Sequence, residues 1–173
     1  MKICDPPKYF GKYRAMVLNN VDPQQIGRIQ VQVPDVLGPL LSSWAMPCFP
    51  VTGKQMGFWA IPQIGTGVWV EFEQGDVDHP IWSGCWYGSA ADVPAIALAT
   101  TPPLSSVFMQ TAAQVTLQIS DLPGPAGGFM LKTATGAMIL VNDVGITISN
   151  GKGASIVMTG PTVTINAGAL VIT

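Results

Sequence analysis

Two runs, Gly145-Ile146-Thr147-Ile148-Ser149-Asn150-Gly151 and Gly160-Pro161-Thr162-Val163-Thr164-Ile165-Asn166-Ala167-Gly168, decide how the chain folds. In each, branched apolar residues alternate with Thr or Ser and are bounded by Gly, Asn or Pro. A period of two describes a strand with one apolar face, and the bounding residues are those that supply tight turns. The same texture covers Phe129–Thr135, Ala137–Asn142, Gly145–Ser149, Ala154–Thr159, Thr162–Asn166 and Ala169–Thr173. Gly136, Asn142-Asp143, Asn150-Gly151, Gly160-Pro161 and Ala167-Gly168 mark the turns between them. This is a loose repeat of about eight to ten residues, the pattern of a β-solenoid or β-prism.

Such a segment buries too little surface alone to offset its ordering entropy. Ile146, Ile148, Ile156, Met158, Val163, Ile165, Leu170 and Ile172 form one apolar set with Thr and Ser between them. Wrapping identical chains about a rotation axis would bury that set and protect the strand edges, and a closed homotrimer is the simplest arrangement. The face of Ala137–Asn142 is ambiguous, because Met138, Ile139, Leu140 and Val141 are all apolar.

Toward the N-terminus the chain reads as a different unit. Tyr13–Asn20 is a strand closed by Asp22-Pro23, and Arg28–Val33 alternates until Pro34, which has no N–H for a ladder. Trp44–Cys48, Phe58–Ile61, Val68–Glu73 and Ile81–Tyr87 complete a set of short strands suited to a small closed barrel. The fold class is all-β. Residues 1–92 form an OB-like barrel, 93–128 an extended connector or neck rich in Pro and Gly, and 129–173 a shaft. Within the connector, Val107–Ile119 has room for one or two strands.

Composition narrows the function. Of 173 residues, 48% are hydrophobic and 10% charged, against a usual charged share of roughly 25%. So low a charge fits a surface largely buried against other chains. Eight Lys and Arg face ten Asp and Glu with no basic cluster, which argues against nucleic acid as a partner. Cys4, Cys48 and Cys85 are widely spaced and odd in number, and read as reduced, partly buried residues. No secretory h-region precedes Met16, and the uncharged stretches Val93–Ser120 and Gly153–Thr173 are broken by Pro or Gly. Assembly in the cytoplasm, without a signal peptide or a membrane helix, is the expectation.

Three stretches together carry a family resemblance: Gly27-Arg28-Ile29-Gln30-Val31-Gln32-Val33-Pro34, then Ile61-Pro62-Gln63-Ile64-Gly65-Thr66-Gly67-Val68-Trp69-Val70-Glu71-Phe72, then Gln74-Gly75-Asp76-Val77-Asp78-His79-Pro80-Ile81-Trp82-Ser83-Gly84. In this order they resemble the OB-fold domain of phage baseplate protein V and of the VgrG-like spikes of contractile injection systems. The tail is similar to the shaft of the short spikes of extracellular phage-tail-like particles. The resemblance implies a barrel at the base that docks the tail tube, hub and baseplate, and a trimeric tip that pierces a target envelope when a sheath contracts. The target membrane is then met only on injection, and cargo effectors are potential passengers. It further implies a PAAR-type cap over the strand ends at Leu170, Val171, Ile172 and Thr173. A lysozyme domain between barrel and shaft, known in some relatives, has no room here, and the paired histidines of a metal-bound needle are missing.

No residue set demands catalysis, a cofactor or a metal. His79 is the single histidine, beside Pro80 in a polar loop, and reads as a turn residue. Glu71, Glu73, Asp76 and Asp78 form the densest acidic group, but Glu71 and Glu73 share one strand face and read as solvated rather than as a glycosidic pair. Trp59, Trp69, Trp82, Trp86 and Tyr87 could stack on bases, which keeps a single-strand nucleic-acid or ligand-binding OB module as the alternative. Without a basic groove they read as barrel core or protomer contacts. An envelope-degrading enzyme is the other rival, and neither explains the strand-repeat tail.

Overall fold

The computed structural model describes residues 6–172, and of residues 168, 171 and 172 the backbone alone. The chain divides into two compact units at Asp92/Val93.

The first unit carries β1 (Tyr13–Asn19), β2 (Gln30–Gln32), α1 (Pro34–Leu37), β3 (Met46–Pro47), β4 (Thr52–Gly53), β5 (Met56–Gly57), β6 (Gly67–Phe72) and β7 (Pro80–Trp86). Five strands form one sheet in the order β2-β1-β6-β7-β3. The segment leading into β3 returns to β2: Ala45 N–H donates to Ile29 O at 2.8 Å, and Ser42 N–H donates to Val31 O at 2.9 Å. The sheet therefore closes on itself, as a small barrel must to leave no open edge.

Alternation decides what fills it. Ala15 and Val17 on β1, Val31 on β2, and Val68, Val70 and Phe72 on β6 point inward and pack with Ile29, Val33, Ala45 and Trp82. The Trp82 indole N–H donates to Gly27 O at 3.1 Å, so the one polar atom of that core ring is satisfied. Gly27 has φ +88°, and a Cβ there would stand 3.1 Å from the Phe49 ring and 3.2 Å from Ile61. Asp22 organises the turn before it. Its carboxylate accepts from the backbone N–H of Gln24, Ile26 and Arg28 and from the Arg28 guanidinium at 2.7 Å. The Arg28 guanidinium and these N–H groups hold the Asp22 carboxyl far below the ordinary carboxylate range.

Pro34 ends β2 as expected and then opens a four-residue helix, where its missing N–H is harmless. One expectation for this unit needs correction. Residues 58–61 form no strand. The pairing lies earlier, in the β4–β5 hairpin turned by Gln55 at φ +56°, and Phe58 N–H only extends it to Val51 O at 3.0 Å.

The second unit holds α2 (Ala95–Leu98) and eight strands: β8 (Ser106–Gln110), β9 (Thr116–Ser120), β10 (Gly128–Lys132), β11 (Met138–Asn142), β12 (Gly145–Ser149), β13 (Ser155–Thr159), β14 (Thr162–Ile165) and β15 (Leu170–Ile172). They form one antiparallel sheet in chain order, a meander with every neighbour joined by a hairpin. The expected connector at 93–128 is thus only partly a connector. β9 pairs with β8 on one side and β10 on the other, and 121–127 is a hairpin loop with a 3₁₀ turn at Gly124–Ala126 rather than a break. Asparagines build two of the later turns: Asn142 Oδ1 accepts from Val144 and Gly145 N–H, and Asn150 Oδ1 from Lys152 and Ala154 N–H.

Candidate trimerisation face

Residues directly opposite one another in an antiparallel sheet share a face. The register of the meander therefore sorts its side chains into two sets. One row runs Val107, Ile119, Phe129, Val141, Ile146, Met158, Val163, with position 172 next in register. The adjacent row runs Met109, Leu117, Leu131, Ile139, Ile148, Ile156, Ile165, Leu170. Every described residue in both rows is apolar. The opposite face is mixed, carrying Gln118, Lys132, Thr147, Ser149, Ser155, Thr162 and Thr164 among its members.

Burial within one chain is the reverse of what a self-sufficient sheet shows. Ten members of the apolar rows stay open, from 37% exposure at Ile156 to 66% at Val107, while Leu117, Ile146, Met158, Val163 and Ile165 are half-buried. The buried side chains of this unit are polar: Thr116, Gln118 and Ser120 on the other face. The chain covers that face itself, with Thr100 Oγ1 3.2 Å from Ser120 Oγ and Gln118 Nε2 donating to Ala126 O at 3.2 Å. Among the described residues, every buried apolar side chain lies at or before Trp82, in the barrel. An eight-stranded sheet whose apolar face is largely uncovered and has no buried member is incomplete as a monomer.

The expected set Ile146, Ile148, Ile156, Met158, Val163, Ile165 and Leu170 lies together on this face. Position 172 follows in register, while the side chains of Val171 and Ile172 and the whole of Thr173 lie outside the described residues, as does Cys4. The register also resolves 138–141. Ile139 and Val141 join the apolar rows, and Met138 and Leu140 point away. Val107, Met109, Leu117, Ile119, Phe129 and Leu131 extend the face beyond the set read from sequence. Their signal was present as alternation in Val107–Gln110 and Thr116–Ser120, hidden by the surrounding Pro and Gly.

The remaining candidates stay apart. His79 is exposed, its Nδ1 3.4 Å from Asp76 Oδ2 within one loop. Glu71 pairs with Lys12 at 2.9 Å, whereas Glu73 has left the strand for a 3₁₀ turn, so the two do not share a strand face. Among the described residues no three His, Cys, Asp or Glu side chains gather into a metal-binding group. Trp82 is core, Trp69 and Trp86 stand on the outer barrel surface, and Trp59 and Tyr87 are exposed. Cys48 and Cys85 are free and lie near strand ends on the barrel surface. Cys48 is exposed rather than partly buried, whereas partial burial of the Cys85 thiol pushes its pKa up even though the residue as a whole is exposed.

A closed barrel followed by a strand meander that cannot bury its own apolar face defines an assembly subunit. The comparisons with known proteins are specific. The type VI secretion system/phage-baseplate injector OB domain matches residues 13–87, and the phage baseplate V C-terminal trimerisation domain matches residues 106–171. The type VI secretion system spike protein VgrG5 of Pseudomonas aeruginosa is 35% identical over an alignment of 96 residues that covers 51% of this chain and 12% of that protein. The chain belongs to the phage-baseplate V/VgrG-like family of spike proteins. It spans about an eighth of the curated relative's length.

Proposed function

We propose that three copies of this chain form the central spike of a contractile tail or injection apparatus, and that the role is structural rather than enzymatic. The uncovered apolar face of the meander carries this reading. Three such faces turned toward a common axis would bury each other and supply the core that one chain lacks. The barrel would dock the tube, hub and baseplate, and the shaft would enter the target envelope on sheath contraction. Its few charges, Asp121, Lys132, Asp143 and Lys152 in all of 93–173, keep the desolvation penalty of that passage low. A PAAR-type cap would seat on the β15 region through Leu170, Val171, Ile172 and Thr173, with effectors carried on or beside it. Assembly would take place in the cytoplasm.

The test is the absolute mass of the purified full-length chain by light scattering, alongside a chain ending at Asp92. Full-length protein at three times the 18.2 kDa chain mass, with the shorter chain monomeric and folded, is the expected result. A stable full-length monomer would remove the spike reading.

A further inference from the structure

On β1 the Arg14 side chain points outward, opposite Trp69 of β6. Its guanidinium carbon lies 5.6 Å from the Trp69 ring centroid and 5.1 Å from that of Trp86, so it is gripped by two indoles. Trp86 is itself fixed. Its indole N–H donates to Val68 O at 3.2 Å, and the ring lies against Gly67, where a Cβ would come within 2.5 Å of it. Arg14 nonetheless makes no hydrogen bond or ion pair among the described residues. Elsewhere on this unit Lys12 is engaged with Glu71 and Ser83 and Arg28 with Asp22, while Lys8 lies against Gly75 beside Asp76. Five N–H donors are thus held by stacking with nothing to donate to, ready for a planar acceptor. Met16, Leu18, Ile64 and Tyr87 are all exposed on the same unit. Arg, Trp, Tyr and Met are the residues enriched where protein surfaces meet.

The same barrel carries the complementary half. At the far end of β6, Glu73 and Asp78 are exposed, and neither carboxylate has a partner among the described residues. Asp76 between them is already engaged by Asp78 N–H and His79. A ring closed by three-fold rotation uses two different patches per chain, each meeting the other on its neighbour.

We infer that Arg14 of one chain donates to the Glu73 and Asp78 carboxylates of the next, so that each barrel's Trp69–Arg14–Trp86 stack is completed by a neighbouring copy. The inference rests on the trimer proposed above. Shaft assembly would hold the barrels at high effective concentration, so one bidentate, charge-assisted contact is enough to set their register.

The experiment uses full-length Arg14→Lys, which keeps the cation but offers an amine to a water-soluble carbodiimide. Covalent dimers and trimers beyond those of wild type are expected, and should vanish when Glu73→Gln and Asp78→Asn are added. A second measurement leaves Arg14 in place. In wild type it should react more slowly with an arginine-directed glyoxal than in the Glu73→Gln/Asp78→Asn chain. Protein of three-chain mass with no added covalent bands and unaltered glyoxal reactivity would overturn the contact while leaving the spike reading intact. Bands that survive loss of both carboxylates would overturn it too. A monomeric mass would remove both.

Discussion

Ile148 sits in the middle of the apolar face, opposite Ile139 on β11 and Ile156 on β13, and is 40% exposed in one chain. Fully burying an Ile side chain is worth about 1.5–3 kcal/mol, so covering the exposed 40% in a trimer contributes roughly 0.6–1.2 kcal/mol per chain. Three chains lose that together in Ile148→Ala, about 1.8–3.6 kcal/mol per trimer before any cavity penalty. At about 1.4 kcal/mol per tenfold, the association constant should fall roughly 20- to 400-fold. Ile148→Asp is harsher, because three carboxylates would be brought together without partners, each costing several kcal/mol. Light scattering across a dilution series reads both variants. Ile148→Ala should dissociate at higher concentration than wild type, and Ile148→Asp should not assemble. Thr147→Asp, one residue away on the opposite face, provides the contrast and should remain trimeric. Equal loss of assembly in the Thr147 and Ile148 variants would refute the assignment of the face, and an unaffected Ile148→Asp trimer would refute its burial.

Two further perturbations address the barrel. Gly67→Ala places a methyl 2.5 Å from the Trp86 indole, so that ring must leave its seat. A loss of about 1–3 kcal/mol is expected in chemical denaturation, with a shift in tryptophan emission. Asp22 has its pKa depressed in the folded state, first by the Arg28 guanidinium. Its stabilisation is therefore fully present above the unfolded carboxyl pKa of about 3.9 and is lost as pH falls through the lower folded value. Asp22→Asn should flatten that acid limb when denaturation midpoints are compared between pH 5 and pH 2, and parallel pH profiles would count against the role of Asp22.

β1, β2, β6 and β7 of the barrel and most shaft strands were legible because each alternates locally and ends in its own turn chemistry, whereas the two-residue strands of the β4–β5 hairpin carry no such alternation. Gly145–Ser149 and Thr162–Ile165 carry strand, face and boundary within a few residues. What stayed hidden depends on partners distant in sequence. Met138, Ile139, Leu140 and Val141 have no period of their own. Only pairing with Leu131 and Ile148 places Ile139 on the apolar face. Val107–Ile119 was read as room for one or two strands inside a connector, and it holds the β8–β9 hairpin. The flanking Pro102, Pro103 and Pro123–Gly128 hid that β9 also pairs with β10 and so joins the hairpin to the shaft sheet. α1 and α2, at four residues each, are too short to express a 3.6-residue period. The Arg14 stack joins residues from β1, β6 and β7, a grouping that no local pattern announces.

The two units differ in where their stability comes from, and this has a measurable consequence. The barrel owns the buried apolar core, so its unfolding is an event within one chain. The meander borrows its core from other copies in the proposed trimer, so its ordering is coupled to association, and mass action makes its midpoint rise with protein concentration. All five tryptophans, Trp44, Trp59, Trp69, Trp82 and Trp86, lie in the barrel unit, whereas backbone circular dichroism reports on both units. Equilibrium urea titrations over a wide concentration range should therefore separate. A dichroism transition without tryptophan change should move to higher urea as the chain is concentrated, while the tryptophan transition moves far less, by as much as barrel contacts such as that of Arg14 contribute. A single transition, identical by both probes and independent of concentration, would mean that the meander is stable without a partner and that its apolar face needs another explanation.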